Sequence, residues 1–554
     1  MFDESSALSI IDDTKPLTAI ISETENNGSY ILYEIKVHRG ANCDVTWSVQ
    51  HRYSDFAALN STLQGWGVGD LPFPKKKIFG NLDRGFVEDR KKALQVYLDV
   101  VLQNTLLSGT LDVKKFLDPS HYDDNFEEEA LRQTSMLLRA EPHWKMIEPL
   151  KNIGHRIKRS FFLVNCETEV VGKQILSWTE IGPYYSFSGK EMSSLTKLLT
   201  TVQHPYITPV TMAAFNQSGV HVSRPFHTAG SLRDILCAAK PKSPFFKKYM
   251  GQRTILPENE IAVAGRNLLE ALVFLQDRGL PYGHLHSGNI MVDTTSNGNI
   301  YKLSDIENFL LGLPSRHRNL HVQHGGIKTT LDADVYNFGL VLYEMSTGTV
   351  QQTPTTDMIP ATIPPAIRTI LESILSTSAQ RDGIPTLDDL IADIFFTPTT
   401  SSTHVQPVLK LSNKHKQAIS IATTCYETAL TNDHKSVNQL RQKTKALQRS
   451  MTDEKKKRRK RPTRENSMNK DRNQVTAAPP PAAPNAPTAP AAPPAPTAPK
   501  APPAPAAPSA PASTPVTPLP NGGSGKSALL SSIQGFGSGK LKKTETNDRS
   551  SPKV

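Results

Sequence analysis

The sequence predicts an α+β chain of several domains, and three observations predict it. Its 554 residues exceed what a single hydrophobic core organises. Short runs alternating apolar and polar residues near the N-terminus give way to helix-period patterns, and the same change recurs further on. Apolar periodicity then stops, and a basic, Ala/Pro-rich tail begins.

The first unit, 9–125, opens with three predicted strands: Thr18–Ile21, Tyr30–Val37 and Trp47–Arg52. The second and third alternate in the manner of half-buried strands. A helix is predicted over Asp55–Gln64, then a Pro and Lys loop at 71–77, then helices at 83–102 and 108–117. The second unit, 143–395, begins with strand-like runs at Phe161–Asn165 and Gln174–Trp178 and a helix near 189–200, and continues mainly helical. A polar helix is predicted over 410–450. Residues 451–523 form a basic and Ala/Pro-rich linker, expected to be disordered because it cannot bury a core.

His51-Arg52-Tyr53-Ser54-Asp55-Phe56 resembles the Arg-Tyr-x-x-Phe signature of PX domains. Leu71-Pro72-Phe73-Pro74-Lys75-Lys76-Lys77 resembles their proline loop, and Phe86 to Arg90 with Leu94 and Tyr97 their following helix. Such a domain is a three-stranded sheet plus helices that binds phosphoinositide. A guanidinium fork suits clustered phosphates. The resemblance implies that Arg52 grips the 3-phosphate, Tyr53 packs on the inositol ring, Lys76 meets the 1-phosphate and Arg90 the ring hydroxyls. The proline loop is one residue shorter than the common form, so Lys75 is an alternative to Lys76. His51 stands where a second basic residue is usual.

Residues 282–290, Tyr-Gly-His-Leu-His-Ser-Gly-Asn-Ile, followed by Ser304-Asp305-Ile306-Glu307, resemble the catalytic loop and metal-binding turn of a protein kinase. His204-Pro205-Tyr206-Ile207, Gly230 to Leu236 and Asp334 to Gly339 resemble further kinase landmarks in family order, implying a bilobal fold. The catalytic parts are degenerate. Asn289 and Asp305 fit the family, but His284 stands at the catalytic aspartate and Glu307 at the turn glycine. Residues 150–165 contain one glycine, Gly154, instead of a Gly-rich loop. The strand at Gln174–Trp178 has no lysine, with Lys173 just before it, and the partner glutamate would be Glu191. Phosphoryl transfer depends on these parts. The expectation is a pseudokinase without a catalytic residue, a metal centre or an obligate cofactor, retaining at most weak ATP/Mg binding through Asn289 and Asp305. The alternative is an atypical active serine/threonine kinase recruited to membranes.

Near the C-terminus, Leu529, Leu530 and Ile533 share one face of a short helix, and Leu541-Lys542-Lys543-Thr544 follows. Residues 524–546 resemble a WH2 motif, which implies monomeric actin as partner through a helix-in-groove mode. The Pro-rich run upstream makes profilin or SH3 proteins further candidates.

Charge is divided unevenly. Residues 401–554 hold 25 Lys and Arg against eight Asp and Glu, whereas the first 400 hold 38 against 44. A basic tail suits anionic lipid, actin or nucleic acid. Lys455–Arg461 is seven basic residues in a row, open to reading as a nuclear signal, a lipid patch or a solvated run; no nucleic-acid partner is expected. Four scattered cysteines argue against a disulfide framework or zinc site. No secretory signal or membrane span is expected, which places the chain in the cytoplasm, peripheral on endosomal or plasma membrane. The whole order is similar to the PX domain-containing serine/threonine kinase-like protein family. That resemblance implies a phosphoinositide- and actin-binding scaffold in endosomal or receptor trafficking, or in membrane-protein regulation, with Na,K-ATPase β subunits among the family's partners.

Overall fold

The computed structural model describes residues 10–40, 45–76, 82–154, 156–167, 172–251, 253–397 and 405–460. The predicted Ala/Pro-rich linker beyond 460 and the actin-binding residues Leu529 to Thr544 lie outside the described residues.

The first unit is an antiparallel sheet of β1 (Leu17–Asn26), β2 (Ile31–Arg39) and β3 (Val45–Arg52), in that order. In β2, Ile31, Tyr33, Ile35 and Val37 are buried on one face, as strand alternation requires. They meet Phe56, Leu59 and Leu63 of the helix Tyr53–Gly65, and Leu94, Tyr97 and Val101 of the helix Arg84–Gln103. The sheet plus helices is the fold that the signature implies.

The second unit has a five-stranded antiparallel sheet and a helical lobe. Its strands are β4 (Trp144–Pro149), β5 (Arg159–Cys166), β6 (Lys173–Glu180), β7 (Met212–Phe215) and β8 (Gly219–Pro225), in the order β4-β5-β6-β8-β7. The lobe is centred on the helices Glu258–Asp277 and Thr330–Thr347, the latter buried nearly all round. A hairpin of β9 (Ile290–Thr295) and β10 (Gly298–Leu303) carries the loop 282–289 at its entry and Asp305 at its exit. Two elements extend the sequence reading. A helix at Phe126–Ala140 packs Ala130 against the β5–β6 side of the sheet. The polar helix expected over 410–450 runs from Asn413 to Lys460, and buries Ile419, Ala422, Tyr426 and Leu430 against the helical lobe.

The two units are packed together. Trp66 stacks on Phe246 with ring centroids 4.4 Å apart and planes 3° from parallel. Arg318, in the segment after Asp305, is buried between Asp12 at 3.5 Å, from the stretch before β1, and Asp433 at 2.6 Å, from the long helix. The Tyr184 hydroxyl donates to Asp12 at 2.8 Å. No helix among the described residues is long and apolar enough to cross a membrane.

Candidate functional site

The structure contains two clefts built around arginine. The first lies where β3 passes into the helix Tyr53–Gly65. The backbone N–H of Arg52 donates to the Asp55 carboxylate at 2.8 Å, which fixes the strand-to-helix corner. The Arg52 side chain is exposed, its guanidinium 5.1 Å from the centre of the Tyr30 ring. Tyr53 points back: its hydroxyl donates to the Pro74 carbonyl at 2.7 Å and its ring lies 5.5 Å from Phe73, which ties the proline loop to the signature. Arg90 comes from the helix Arg84–Gln103. It is buried between the rings of Tyr53 (4.4 Å) and Phe86 (4.2 Å), and its Nε and one terminal nitrogen have no hydrogen-bond partner. Arg52, Tyr53 and Arg90 therefore surround one region, closed on one side by the proline loop. Lys75 and Lys76 are both exposed on that loop. His51 faces the other way, stacked 3.8 Å from Phe116 and bonded to the Phe116 carbonyl at 2.6 Å. Burial holds its pKa below the usual imidazole value, so it supplies no charge to the cleft.

The second cleft lies between the five-stranded sheet and the helical lobe. The buried Asp334 accepts the backbone N–H groups of Tyr282 (3.3 Å) and Gly283 (2.7 Å), which holds the 282–289 loop in place. Burial raises the Asp334 pKa to about 7 despite these donors. His284 is also buried. Burial, with Arg156 nearby, pushes its pKa well below the usual imidazole value, and its Nδ1 has no partner. It is a neutral, enclosed ring. Asn289 spends its amide on the His284 carbonyl at 3.0 Å.

Asp305 and Glu307 face two arginines that sequence reading did not single out. Arg159, on β5, contacts Asp305 at 2.9 Å and Glu307 at 3.3 Å. It also donates to the Asn308 amide oxygen at 3.1 Å. Arg224, on β8, contacts Asp305 at 3.6 Å and bonds to Glu307 at close range. All four side chains are largely shielded from water. The arginines hold Asp305 ionised, below the usual carboxylate range, against its desolvation. Two guanidinium groups thus enclose Asp305, and Glu307 supplies the second negative charge. A metal ion at Asp305 would have to displace both arginines.

The other degenerate positions agree with this arrangement. On β6, Ile175 and Ser177 line the cleft, and Ser177 spends its hydroxyl on the Val222 carbonyl at 3.3 Å. Lys173 begins the same strand, but it is exposed and paired across to Asn165. Glu191 does not serve as the lysine's partner. It closes a capping box with Ser188 at the start of the helix Gly189–Leu199 and is exposed. Gly154 accommodates the Phe161 ring: at φ +84°, a Cβ there would lie 2.4 Å from it. The segment after Glu307 is folded onto the loop before the helix Gly189–Leu199. Gly182 N–H donates to the Leu311 carbonyl at 2.7 Å, and Tyr184 N–H to the Gly312 carbonyl at 3.0 Å. Gly312, at φ +64°, allows backbones to approach so closely that a Cβ would sit 2.0 Å from Tyr185 nitrogen.

Among the described residues no cluster of His, Cys, Asp or Glu is suited to hold a metal ion. Cys166, Cys237 and Cys425 are not joined in disulfides.

Known proteins resemble the chain in the same three parts. The PX domain family model matches residues 42–120, and the WH2 motif model matches residues 522–551. A Dictyostelium discoideum protein described as probable inactive serine/threonine-protein kinase slob2 is 32% identical over 282 residues, covering 49% of this chain and 47% of that protein. The Slowpoke-binding protein of Drosophila melanogaster is 33% identical over 243 residues, covering 42% of this chain and 46% of that one. The mouse PX domain-containing protein kinase-like protein is 41% identical over 439 residues, covering 79% of this chain and 75% of its own length. With a PX domain, a kinase-like domain whose metal-binding turn is closed by arginine, and a WH2 motif, the chain belongs to the PX domain-containing protein kinase-like family.

Proposed function

We infer that this protein is a non-catalytic scaffold that docks on phosphoinositide-bearing membranes through its PX domain and holds monomeric actin through its WH2 motif. The observation that carries the reading is Arg90. A guanidinium buried among aromatic rings, with two nitrogens lacking any partner, is costly unless an anion or hydroxyl completes it. The exposed Arg52 beside it supplies a second positive charge, and Lys76 or Lys75 a third. Phosphatidylinositol 3-phosphate is the lipid that the signature favours, and the membrane is endosomal or plasma membrane. The kinase-like domain then works as a rigid platform. Its Asp305 is committed to Arg159 and Arg224, which leaves ATP/Mg binding weak at most. A membrane protein is a fitting cargo, since one relative is named for binding Slowpoke.

Vesicle sedimentation of the full chain with phosphatidylinositol 3-phosphate tests this reading. Arg52→Ala is expected to lower vesicle affinity more than tenfold, and unchanged binding would remove the assigned pocket. Pyrene-actin assembly tests the other end: Leu541→Ala with Lys542→Ala should abolish monomer sequestration.

A further inference from the structure

The second cleft holds more positive charge than its own carboxylates neutralise. Six cations line it: Arg156, Arg159, Arg224, Arg233, Lys248 and Arg316. Arg159 and Arg224 are matched by Asp305 and Glu307. Lys248 is matched by Asp234 at 3.2 Å. Three guanidinium groups remain. Arg233 is 5% exposed and lies 3.8 Å from the centre of the Tyr249 ring, with no hydrogen bond or ion pair among the described residues. Arg316, half-buried, has neither. Arg156 donates to the Pro314 carbonyl at 2.7 Å and has no carboxylate within ion-pair distance among the described residues; Asp13 is the negative charge that acts on it most. Their charges are uncomfortable there. Burial lowers all three pKa values; that of Arg316 falls to about 9, with Arg233 adding repulsion.

Desolvated cations persist where an anion completes them. The planar fork of arginine matches phosphate oxygens, and three forks from different elements converge on one space. Arg156 comes from the β4–β5 turn, Arg233 from the helix Leu232–Leu236, and Arg316 from the segment after Glu307. The free space is about 120 Å³, enough for one or two phosphoryl groups. Since the two lining carboxylates already have cationic partners, no divalent ion is needed to hold such a ligand, and none has a free anchoring carboxylate.

We propose that the kinase-like cleft is a metal-independent binding site for a phosphate-bearing small molecule, held by Arg156, Arg233 and Arg316. This differs from a nucleotide site in its charge logic: protein guanidinium groups stand in for magnesium, and Asp305 is not a ligand. It is independent of the membrane and actin reading.

The test uses the full chain in EDTA. Inorganic pyrophosphate and ADP are titrated by calorimetry and thermal shift, at constant ionic strength set with chloride. Pyrophosphate is expected to bind and to raise the transition temperature of the kinase-like domain. Arg316→Gln, at a half-exposed position that tolerates change, should weaken it at least tenfold. Arg233→Gln should do the same, and if that variant folds poorly the Arg316→Gln result stands alone. Lys145→Gln, at an exposed position on β4 outside both clefts, should leave the affinity within twofold. Tighter binding of ADP than pyrophosphate would identify a nucleotide as the source of the phosphates, and equal binding would show that only phosphate is read. Absence of binding by both probes in EDTA would overturn the proposal, as would binding that Arg316→Gln leaves unchanged.

Discussion

The PX cleft and the kinase-like cleft each place two arginines at their centre, and the partners of those arginines separate the two. Arg52 and Arg90 meet aromatic faces and no carboxylate among the described residues. Arg159 and Arg224 each meet both Asp305 and Glu307. An arginine whose charge is already matched is part of the architecture, and one whose charge is open awaits something. The positions most like an active site are therefore committed to one another, while the arginines left without a carboxylate stand in the PX cleft and beside the quartet.

The sharpest way to break that contrast is to remove one arginine from each cleft. Arg224→Met leaves a buried carboxylate uncompensated, and loss of one partner of a buried pair costs about 3–5 kcal/mol. Urea unfolding of the full chain should show that loss in the kinase-like transition. Adding Glu307→Met restores a one-to-one balance between Arg159 and Asp305, and should recover most of the loss, because apolar replacement of a buried pair is often neutral. Arg52→Ala is expected to change stability by no more than about 0.5 kcal/mol, as for most exposed sites, while lowering vesicle affinity more than tenfold. If Arg224→Met costs no more than Arg52→Ala, the two clefts are not different in kind.

Acid separates the same two regions. In the kinase-like unit, burial pushes His204, His221, His321 and His324 down to about 4, and holds His284 and His317 well below the usual value. In the PX unit His51 is lowered in the same direction. A histidine with a depressed folded pKa must stay neutral to remain folded. Its contribution is intact above the unfolded value near 6.5 and is lost as pH falls toward 4. Asp334, raised to about 7, and Glu180, raised by burial, work the opposite way over part of that range, but they are two groups against six. Calorimetry between pH 7.5 and 5 should show the kinase-like transition falling faster than the PX transition. Parallel shifts would remove this distinction.

What the sequence made legible follows the distance between cooperating residues. Arg52, Tyr53 and Phe56 fall within five positions, and the strand-to-helix corner that aims them is local, so their pattern survives in the sequence alone. Loss of the kinase parts was readable in the same way at His284 and Glu307. The pairing that replaces them was not. Arg159 lies 146 positions before Asp305, and Arg224 reaches it only through the register of β8 against β6. Their one local trace was an arginine at an inward-facing strand position, at the start of β5 and near the end of β8. Glu191 was offered as the lysine's partner although its spacing to His204 is longer than usual, and Ser188 three residues earlier makes it a cap. The helix Phe126–Ala140 escaped notice because Gln133 and Thr134 interrupt its inward face of Phe126, Ala130 and Leu137.

The smallest expected effect concerns the seam between the units. The helix Phe245–Tyr249 carries Phe246 toward the PX unit, stacked on Trp66, and Tyr249 toward the second cleft, under the Arg233 guanidinium. One short helix thus joins the PX surface to the unmatched side of the cleft, while the quartet at Asp305 rests on β5 and β8. An aromatic pair contributes about 0.5–1.5 kcal/mol beyond its buried area, so Trp66→Ala should loosen this helix without unfolding either unit. The amides of Lys248 and Met250, bonded to the carbonyls of Pro244 and Phe246, should exchange faster with deuterium in that variant. Those of Val222 and Arg224 on β8 should not. Equal acceleration at both places would mean that matched and unmatched arginines share one mechanical unit, and the division between architecture and ligand site would lose its structural basis.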